Sequence, residues 1–403
     1  MAGTETVPTQ SVGTRGVIDF RTRMPALDGL RGVAILLVFL YHYAGGSEQH
    51  PAIIVLKGMY AFTGLGWVGV DIFFVLSGFL ITGILYDTRH DAGYFRKFYA
   101  RRILRIFPLY YGVLGVFALA ALAFGLNFHH ELLSLALYLQ NSYLIAHPIR
   151  SYGGPTSLPL SHFWSLAIEE QFYFVWPITV FLLRRRRRLL FFCGMSLIIC
   201  PLLRLGLLMH GINYFLIQSN TLCRADSLLF GGALALLIRS QFHDRVLHST
   251  AWLLPLGLLA FMFMAATYNT KFVAQLSLGI PMILFAGNSA IAAASTGLIA
   301  LGLRSRHIGG FFSLQPMRWL GKYSYGIYVF HLILFSYLEG PVRNAIQAHV
   351  TPNKGADVVL EGLLIFIVSI TVAYLSYHLY EKRFLQLKRY FDYRRHSNTV
   401  NLT

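Results

Sequence analysis

The sequence predicts an all-α fold: a polytopic membrane helical bundle of about ten transmembrane helices. Three observations carry that expectation. Of 403 residues, 56% are hydrophobic and only 13% are charged, whereas a soluble domain carries roughly 25% charged residues. Apolar runs recur along the whole chain with no long polar block between them, so one membrane domain is expected. The mean hydropathy is +0.56, which leaves no material for a large water-facing surface.

A bilayer core about 30 Å thick needs roughly 20 apolar residues in a helix. Runs of that kind fall near residues 27–46, 62–86, 107–126, 131–146, 163–183, 189–208, 224–238, 250–267, 275–303, 321–338 and 358–380. There are eleven, with no internal repeat. The positive-inside rule tests the count. With Arg15, Arg21 and Arg23 in the cytoplasm, the loop with Arg89, Arg96, Lys97, Arg101, Arg102 and Arg105 also falls inside. If 131–146 crossed, the five consecutive arginines Arg184–Arg188 would lie outside. That run is short and holds Gln140 and Asn141, so it is expected to be re-entrant or interfacial. Arg184–Arg188, Arg239, Arg245, Arg304, Arg306, Arg318 and Lys322 then fall inside, as do Lys382, Arg383, Lys388, Arg389, Arg394 and Arg395. Only Lys57, Arg150, Lys271, Arg343 and Lys354 remain outside. Ten spans with both termini cytoplasmic follow, in the cell (inner) membrane. The division is a flexible basic tail 1–26, a transmembrane domain 27–386 and a short cytoplasmic tail 387–403.

The net charge of +17 is that of basic loops rather than of a nucleic-acid surface, because the basic residues sit between apolar runs. Cys193, Cys200 and Cys223 have no metal-ligand spacing and read as core thiols. The first 26 residues contain no apolar stretch before a small-residue cleavage site, so no removable signal peptide is expected.

Ionisable residues at membrane depth cost about 2.5–3.5 kcal/mol on insertion scales and usually face a cavity. In the first run, Arg31 and His42 are eleven residues apart. That is close to three turns, about 16 Å along one helix face. The pair alone serves equally as an interhelical tie or as chemistry. Asp71 lies near mid-depth of the second run, beside Ser77-Gly78, which permits close helix approach. Arg101, Arg102 and Arg105 form a basic face just before Pro108. It serves as a topology anchor and, since arginine binds phosphate with two donors at once, as a cradle for phosphates. In SHFWSLAIEEQFY, His162 opens the segment, and Glu169, Glu170 and Gln171 follow about 9–12 Å into the span. Two carboxyls and a glutamine in an apolar helix favour function over structure. Arg224 and Asp226 mark the outer end of one span, His331 the mid-depth of another and Glu381 the inner end of the last. Together these suit proton transfer and binding of an anionic ligand.

These motifs resemble the acyltransferase 3 family of membrane-bound O-acyltransferases, which modify glycans, lipids and secondary metabolites. The resemblance covers about residues 24–386. It rests on the arginine-to-histidine spacing of Arg31 and His42 inside LDGLRG…YH, and on VGVDIFFVLSGFLIT, ARRILRIFPLYY, HFWSLAIEEQFY and SYGIYVFH. It implies that His42 is the catalytic residue and that Arg31 is needed with it. It carries a functional glutamate onto Glu169, with Tyr173 completing the motif, while Glu170 matches no fixed position. It also implies acyl-CoA, usually acetyl-CoA, as a cytoplasmic donor substrate, with no metal, and a hydroxyl on a glycan, lipid or metabolite as acceptor. Some members carry an extra hydrolase-like domain at the C-terminus. The chain stops about 20 residues after its last apolar run, so none is expected.

A hydroxyl attacks a thioester poorly until a base takes its proton, and a positioned histidine typically gives about 10²–10⁴-fold. His42 is the candidate base or transient acyl carrier. Glu169 is a candidate to orient its ring. Arg101, Arg102 and Arg105 are the candidate CoA contacts, and Asp71, His162, Tyr173, Arg224, Asp226 and His331 the candidate substrate contacts. The rival from another class is a multispan transporter or flippase, which would show inverted repeats.

Overall fold

A computed structural model describes residues 19–20, 22–44, 65–142, 158–267, 282–351 and 356–393. Arg15, Arg21, Lys57, Arg150, Lys271, Lys354, Arg394, Arg395 and residues 143–146 of the fourth apolar run lie outside the described residues. Among the described residues every regular element is helical.

The elements in order are α1 (Pro25–Ala44), α2 (Val68–Thr88), α3 (Tyr94–Phe124), α4 (His129–Ala136), α5 (Trp164–Leu183), α6 (Arg186–Met209), α7 (Tyr214–Ser219), α8 (Thr221–Leu237), α9 (His243–Ala251), α10 (Leu253–Thr267), α11 (Met282–Arg304), α12 (Arg306–Phe312), α13 (Gln315–His349), α14 (Ala356–Ser376) and α15 (Lys382–Gln386). A π-helical turn, Tyr377–Glu381, joins α14 to α15, and a 3₁₀ turn, Leu387–Phe391, follows α15.

Among the described residues, eight helical stretches are long and apolar enough to cross a membrane: α1, α2, α3, α5, α6, α9 with α10, α11, and α14 with its extension. Two more helices bring the number of candidate crossings to about ten. α8 has 17 residues, at the short end of the roughly 17–25 that suffice. α13 has 35 residues and carries Arg318 and Lys322 near its start and Glu339 and Arg343 toward its end.

Contacts between ends fix the crossing directions. Tyr94 and Tyr99, at the start of α3, donate to the carbonyls of Pro177 (3.1 Å) and Phe174 (2.8 Å) in the last half of α5. Arg239, just past α8, pairs with Asp87 near the end of α2 at 2.7 Å. The start of α1 abuts α12 and the start of α13. These ends form one face of the bundle, the arginine end, and Arg184–Arg188 lie there at the α5–α6 junction. At the opposite, histidine end, Tyr43 of α1 donates to Glu361 of α14 (3.2 Å), which pairs with Arg343 of α13 at 2.9 Å.

The run 131–146 does not cross within the described residues. Its helix α4 has eight residues, about 12 Å of rise. Tyr110 and Tyr111, midway along α3, donate to the carbonyls of Leu135 and Ala136 at 2.8 Å each. The chain then turns at Tyr138, whose φ is +54°. Gln140 donates to the Phe163 carbonyl (2.8 Å), and Asn141 to Thr221 Oγ1 (2.9 Å). Both partners stand at the histidine end, so the segment dips to mid-depth and returns. Its two amides, costly on lipid, are the pins that hold it.

One boundary differs from expectation. The basic segment before Pro108 is continuous with the third span, so α3 starts at Tyr94 rather than near residue 107. Pro108 forfeits one backbone hydrogen bond, but Tyr325 and Tyr380 clamp the same turn by donating to the carbonyls of Ile106 (2.8 Å) and Pro108 (3.2 Å). This continuity carries the arginines into the bundle instead of along its surface.

Small residues set the closest approaches, as membrane packing requires. α2 meets α8 at Gly78 and Gly231, where a Cβ would strike the carbonyls of Leu228 and Val75. α1 meets α13 at Gly32 and Gly321 in the same manner. These contacts pull α1, α2, α8 and α13 into a tight core around the polar residues.

Candidate active site

At the arginine end, α1, α2, α3, α5 and α13 enclose a cavity of about 110 Å³. Its polar lining includes Arg31, Ser77, Arg102, Arg105, Glu169 and Tyr173. Arg31 has one acidic partner, Asp28, at a long 3.4 Å. Arg102 lies 5.1 Å from the centre of the Tyr173 ring, a cation–π distance. Neither Arg102 nor Arg105 has a carboxylate at ion-pair distance among the described residues. Tyr173 is held by a hydrogen bond between its hydroxyl and that of Ser77. Of the three arginines expected to bind CoA, two line this cavity. Arg101 turns away and pairs with Asp392 of the C-terminal segment.

The histidine end gathers three imidazoles from distant parts of the chain. The His42 and His331 rings have centroids 5.0 Å apart, and His331 and His162 are also 5.0 Å apart. His331 Nδ1 lies 2.7 Å from the Tyr328 carbonyl and 3.2 Å from that of Ile327. A carbonyl only accepts, so this nitrogen carries the proton and Nε2 presents a lone pair. That lone pair faces His42 Nδ1 at 3.3 Å. His42 Nδ1 also lies 3.0 Å from the Val38 carbonyl. Both neighbours accept, so His42 is protonated on Nδ1, and its Nε2 keeps a lone pair with no partner among the described residues. The hydrogen bonds thus assign one tautomer to the His42 ring and one to the His331 ring.

Tyr328 joins the two ends. Its side chain lines the arginine cavity, its hydroxyl donates to the His162 carbonyl at 2.7 Å, and it also bonds Ser165. Its ring centre lies 5.3 Å from that of His162 and 5.6 Å from that of His331. His162 is 2% exposed, and neither ring nitrogen has a hydrogen-bond partner among the described residues.

The three polar residues of α5 diverge, as successive residues 100° apart on a helix must. Glu169 faces the arginine cavity. Glu170 faces a second, larger and mostly apolar recess of about 1480 Å³ between α3, α5 and α6. Gln171 turns to the re-entrant segment, donating to the Tyr138 carbonyl (2.7 Å) and to Asn141 (3.1 Å). No hydrogen bond joins Glu169 to His42 among the described residues. The His42 ring is oriented instead by His331 and Val38.

Asp71, Arg224 and Asp226 lie outside the cavity lining. Arg224 pairs with Asp71 at 2.9 Å, and Ser227 donates to the same carboxylate oxygen at 2.9 Å. Asp226 pairs with Arg204 of α6 through both oxygens, at 3.1 and 2.9 Å, and accepts from Ser289 of α11 at 2.6 Å. All four charged side chains are at most 1% exposed. These two pairs bind α2 to α8, and α6 to α8 and α11. The sequence reasoning passed over Arg204, His331's role as ring partner, Tyr328 and Ser165. A lone arginine inside the apolar run 189–208 was the available signal for the first.

A family model described as an acyltransferase domain matches residues 24–378. The chain is 31% identical over 392 residues to YrhL of Bacillus subtilis, whose assigned activity is that of a peptidoglycan O-acetyltransferase; the match covers 89% of this chain and 54% of that protein. It is 30% identical over 351 residues to the peptidoglycan O-acetyltransferase OatA of Listeria monocytogenes, covering 82% of this chain and 52% of that protein. A Staphylococcus aureus protein assigned as an O-acetyltransferase is 34% identical over 229 residues, 53% of this chain and 35% of its own length. The chain therefore spans about half the length of the first two relatives. No solved structure matches it. With the family match covering nearly all the described helices, including those that carry both ends of the polar site, the chain belongs to the acyltransferase 3 family.

Proposed function

We propose that the protein is a membrane O-acyltransferase that moves an acyl group, acetyl first, from cytoplasmic acyl-CoA to a hydroxyl of a glycan. The observation that carries this reading is a cavity lined by Arg31, Arg102 and Arg105 at one end of α1, with His42, bonded to His331 and Val38, about three turns along the same helix. The arginine end faces the cytoplasm of the cell membrane, because the basic loops gather there, and both termini lie on that side. Arg31, Arg102 and Arg105 hold the phosphates of CoA, and the pantetheine arm runs past Tyr328 toward His42. Asp71, Arg224 and Asp226 are read as ties between helices rather than as substrate contacts. The acceptor class follows the relatives, two of which are named for peptidoglycan.

In the transfer step, His42 Nε2 takes the proton of the acceptor hydroxyl as its oxygen attacks the thioester carbon. The C–S bond breaks, and CoA leaves as a thiolate that accepts the proton from His42. The Nδ1 proton stays between the Val38 carbonyl and His331 Nε2, where it stabilises the imidazolium that forms on the way. His162, with two open ring nitrogens, faces the acceptor, and Glu169 sets the charge of the donor cavity beside Arg102.

The test is release of free CoA from acetyl-CoA by the purified chain in lipid nanodiscs with soluble peptidoglycan fragments. Acceptor-dependent release, with an acetyl mass added to the glycan, is expected. Movement of glycan across vesicles without any CoA release would favour the transporter instead. For orientation, a cysteine placed at Arg186 is expected to escape an impermeant thiol reagent in intact cells, and prompt labelling would reverse the assignment.

A further inference from the structure

The 3₁₀ turn Leu387–Phe391 packs against α3, beyond residues 24–378 that the family model matches. Arg101 fastens it. The guanidinium donates to the carbonyls of Lys388 (3.4 Å) and Phe391 (3.5 Å), pairs with Asp392, and lies 5.3 Å from the Tyr393 ring centre. Arg101 is thus engaged by the chain itself. In exchange, the turn brings Lys388 within electrostatic reach of Arg105, Arg102 and Arg101.

Lys388 is half-buried and has no ion-pair partner among the described residues. Arg102 and Arg105 have none either, and Arg31 has only its 3.4 Å contact to Asp28. Like charges crowded into a site of low dielectric repel strongly. Glu169 lines the same cavity and Glu381 stands beside Arg105, but neither forms an ion pair with these cations among the described residues, whereas the buried arginines at Asp71 and Asp226 are directly paired.

We infer that Lys388 is a donor-binding residue: the C-terminal turn completes a four-cation pocket, Arg31, Arg102, Arg105 and Lys388, for the phosphates of a nucleotide thioester. Arg101 and Asp392 are the fastening that sets Lys388 in place. The inference rests on the reading of acyl-CoA as donor. A flexible ammonium suits this position, since it can follow a phosphate that moves as the donor enters.

The experiment compares wild type, Lys388→Gln and Lys388→Arg, each as the full chain in nanodiscs. Equilibrium binding of CoA is measured, together with KM and kcat for acetyl-CoA and for S-acetylpantetheine, which lacks the nucleotide phosphates. Lys388→Gln should weaken CoA binding and raise the KM for acetyl-CoA by roughly tenfold, the scale of one charge-assisted contact. It should leave kcat and the KM for S-acetylpantetheine in place, and Lys388→Arg should restore most of the loss. Unchanged CoA affinity in Lys388→Gln overturns the inference, as does an equal loss for both donors, which is the mark of a structural role. If wild type binds CoA but transfers nothing, the functional reading fails, and the CoA affinities still decide on Lys388. If wild type binds no CoA, both fall.

Discussion

The bundle holds two kinds of charge in its interior, and they differ in whether they are directly paired. Toward the start of α8, Asp226 meets Arg204 with two hydrogen bonds and Ser289 with a third. Asp71 meets Arg224 and Ser227 through one oxygen, its other oxygen having no hydrogen-bond partner among the described residues. Between α1 and α3, by contrast, Arg102 and Arg105 have no carboxylate at ion-pair distance, and the nitrogens of the buried His162 ring have no hydrogen-bond partner among the described residues. A buried charge that is paired and bonded is a fixed part of the fold. Charged groups that line a cavity without a direct partner are free to meet a ligand. The two regions thus separate ionisable residues paired directly across helices from ionisable residues that line a cavity without a direct partner, which we read as substrate contacts.

The sharpest way to break this division is at Arg204. Removing one partner of a buried ion pair costs about 3–5 kcal/mol, because the other charge is left uncompensated. Arg204→Ala should therefore lower the thermal unfolding temperature strongly and reduce the yield of monodisperse protein in detergent. A variant with wild-type thermal stability would place Arg204 among the open groups instead. On the other side, Arg102→Ala and Arg105→Ala relieve like-charge repulsion, so both should leave the unfolding temperature unchanged or slightly raised. Each should weaken acetyl-CoA binding by about 1.5–3 kcal/mol, the range for hydrogen bonds to charged groups. If stability falls and donor affinity holds, the arginines are anchors and the comparison loses its second half.

The sequence displays these two regions unequally. Helical spacing placed Arg31 and His42 on one face, because that relation lies within a single element. The expectation that 131–146 does not cross came from Arg184–Arg188, since five arginines on the wrong side cost more than one short helix, and its described part, to residue 142, holds only the short helix α4 and the turn at Tyr138. Partnerships between elements were out of reach. His42 meets His331 across 289 positions and Asp71 meets Arg224 across 153, and neither periodicity nor charge pattern names such partners. The basic face of α3 was visible, but its division was not. Arg101 faces a C-terminal turn whose position depends on the whole bundle, while Arg102 and Arg105 face the cavity. Glu169 and Glu170 adjoin in sequence and enter different spaces, which the angle between successive helical residues decides.

The central claim is that His42 performs the transfer while His331 holds its ring. The most direct measurement is single-turnover acetyl transfer from labelled acetyl-CoA, with CoA binding measured in parallel, for His42→Ala and His331→Ala. The account predicts that His42→Ala binds CoA as wild type does and loses roughly 10² or more in rate. It predicts that His331→Ala retains measurable turnover, with a smaller loss from the freed tautomer of His42. Near-normal turnover in His42→Ala together with abolished turnover in His331→Ala would contradict it, making His331 the base and His42 its support.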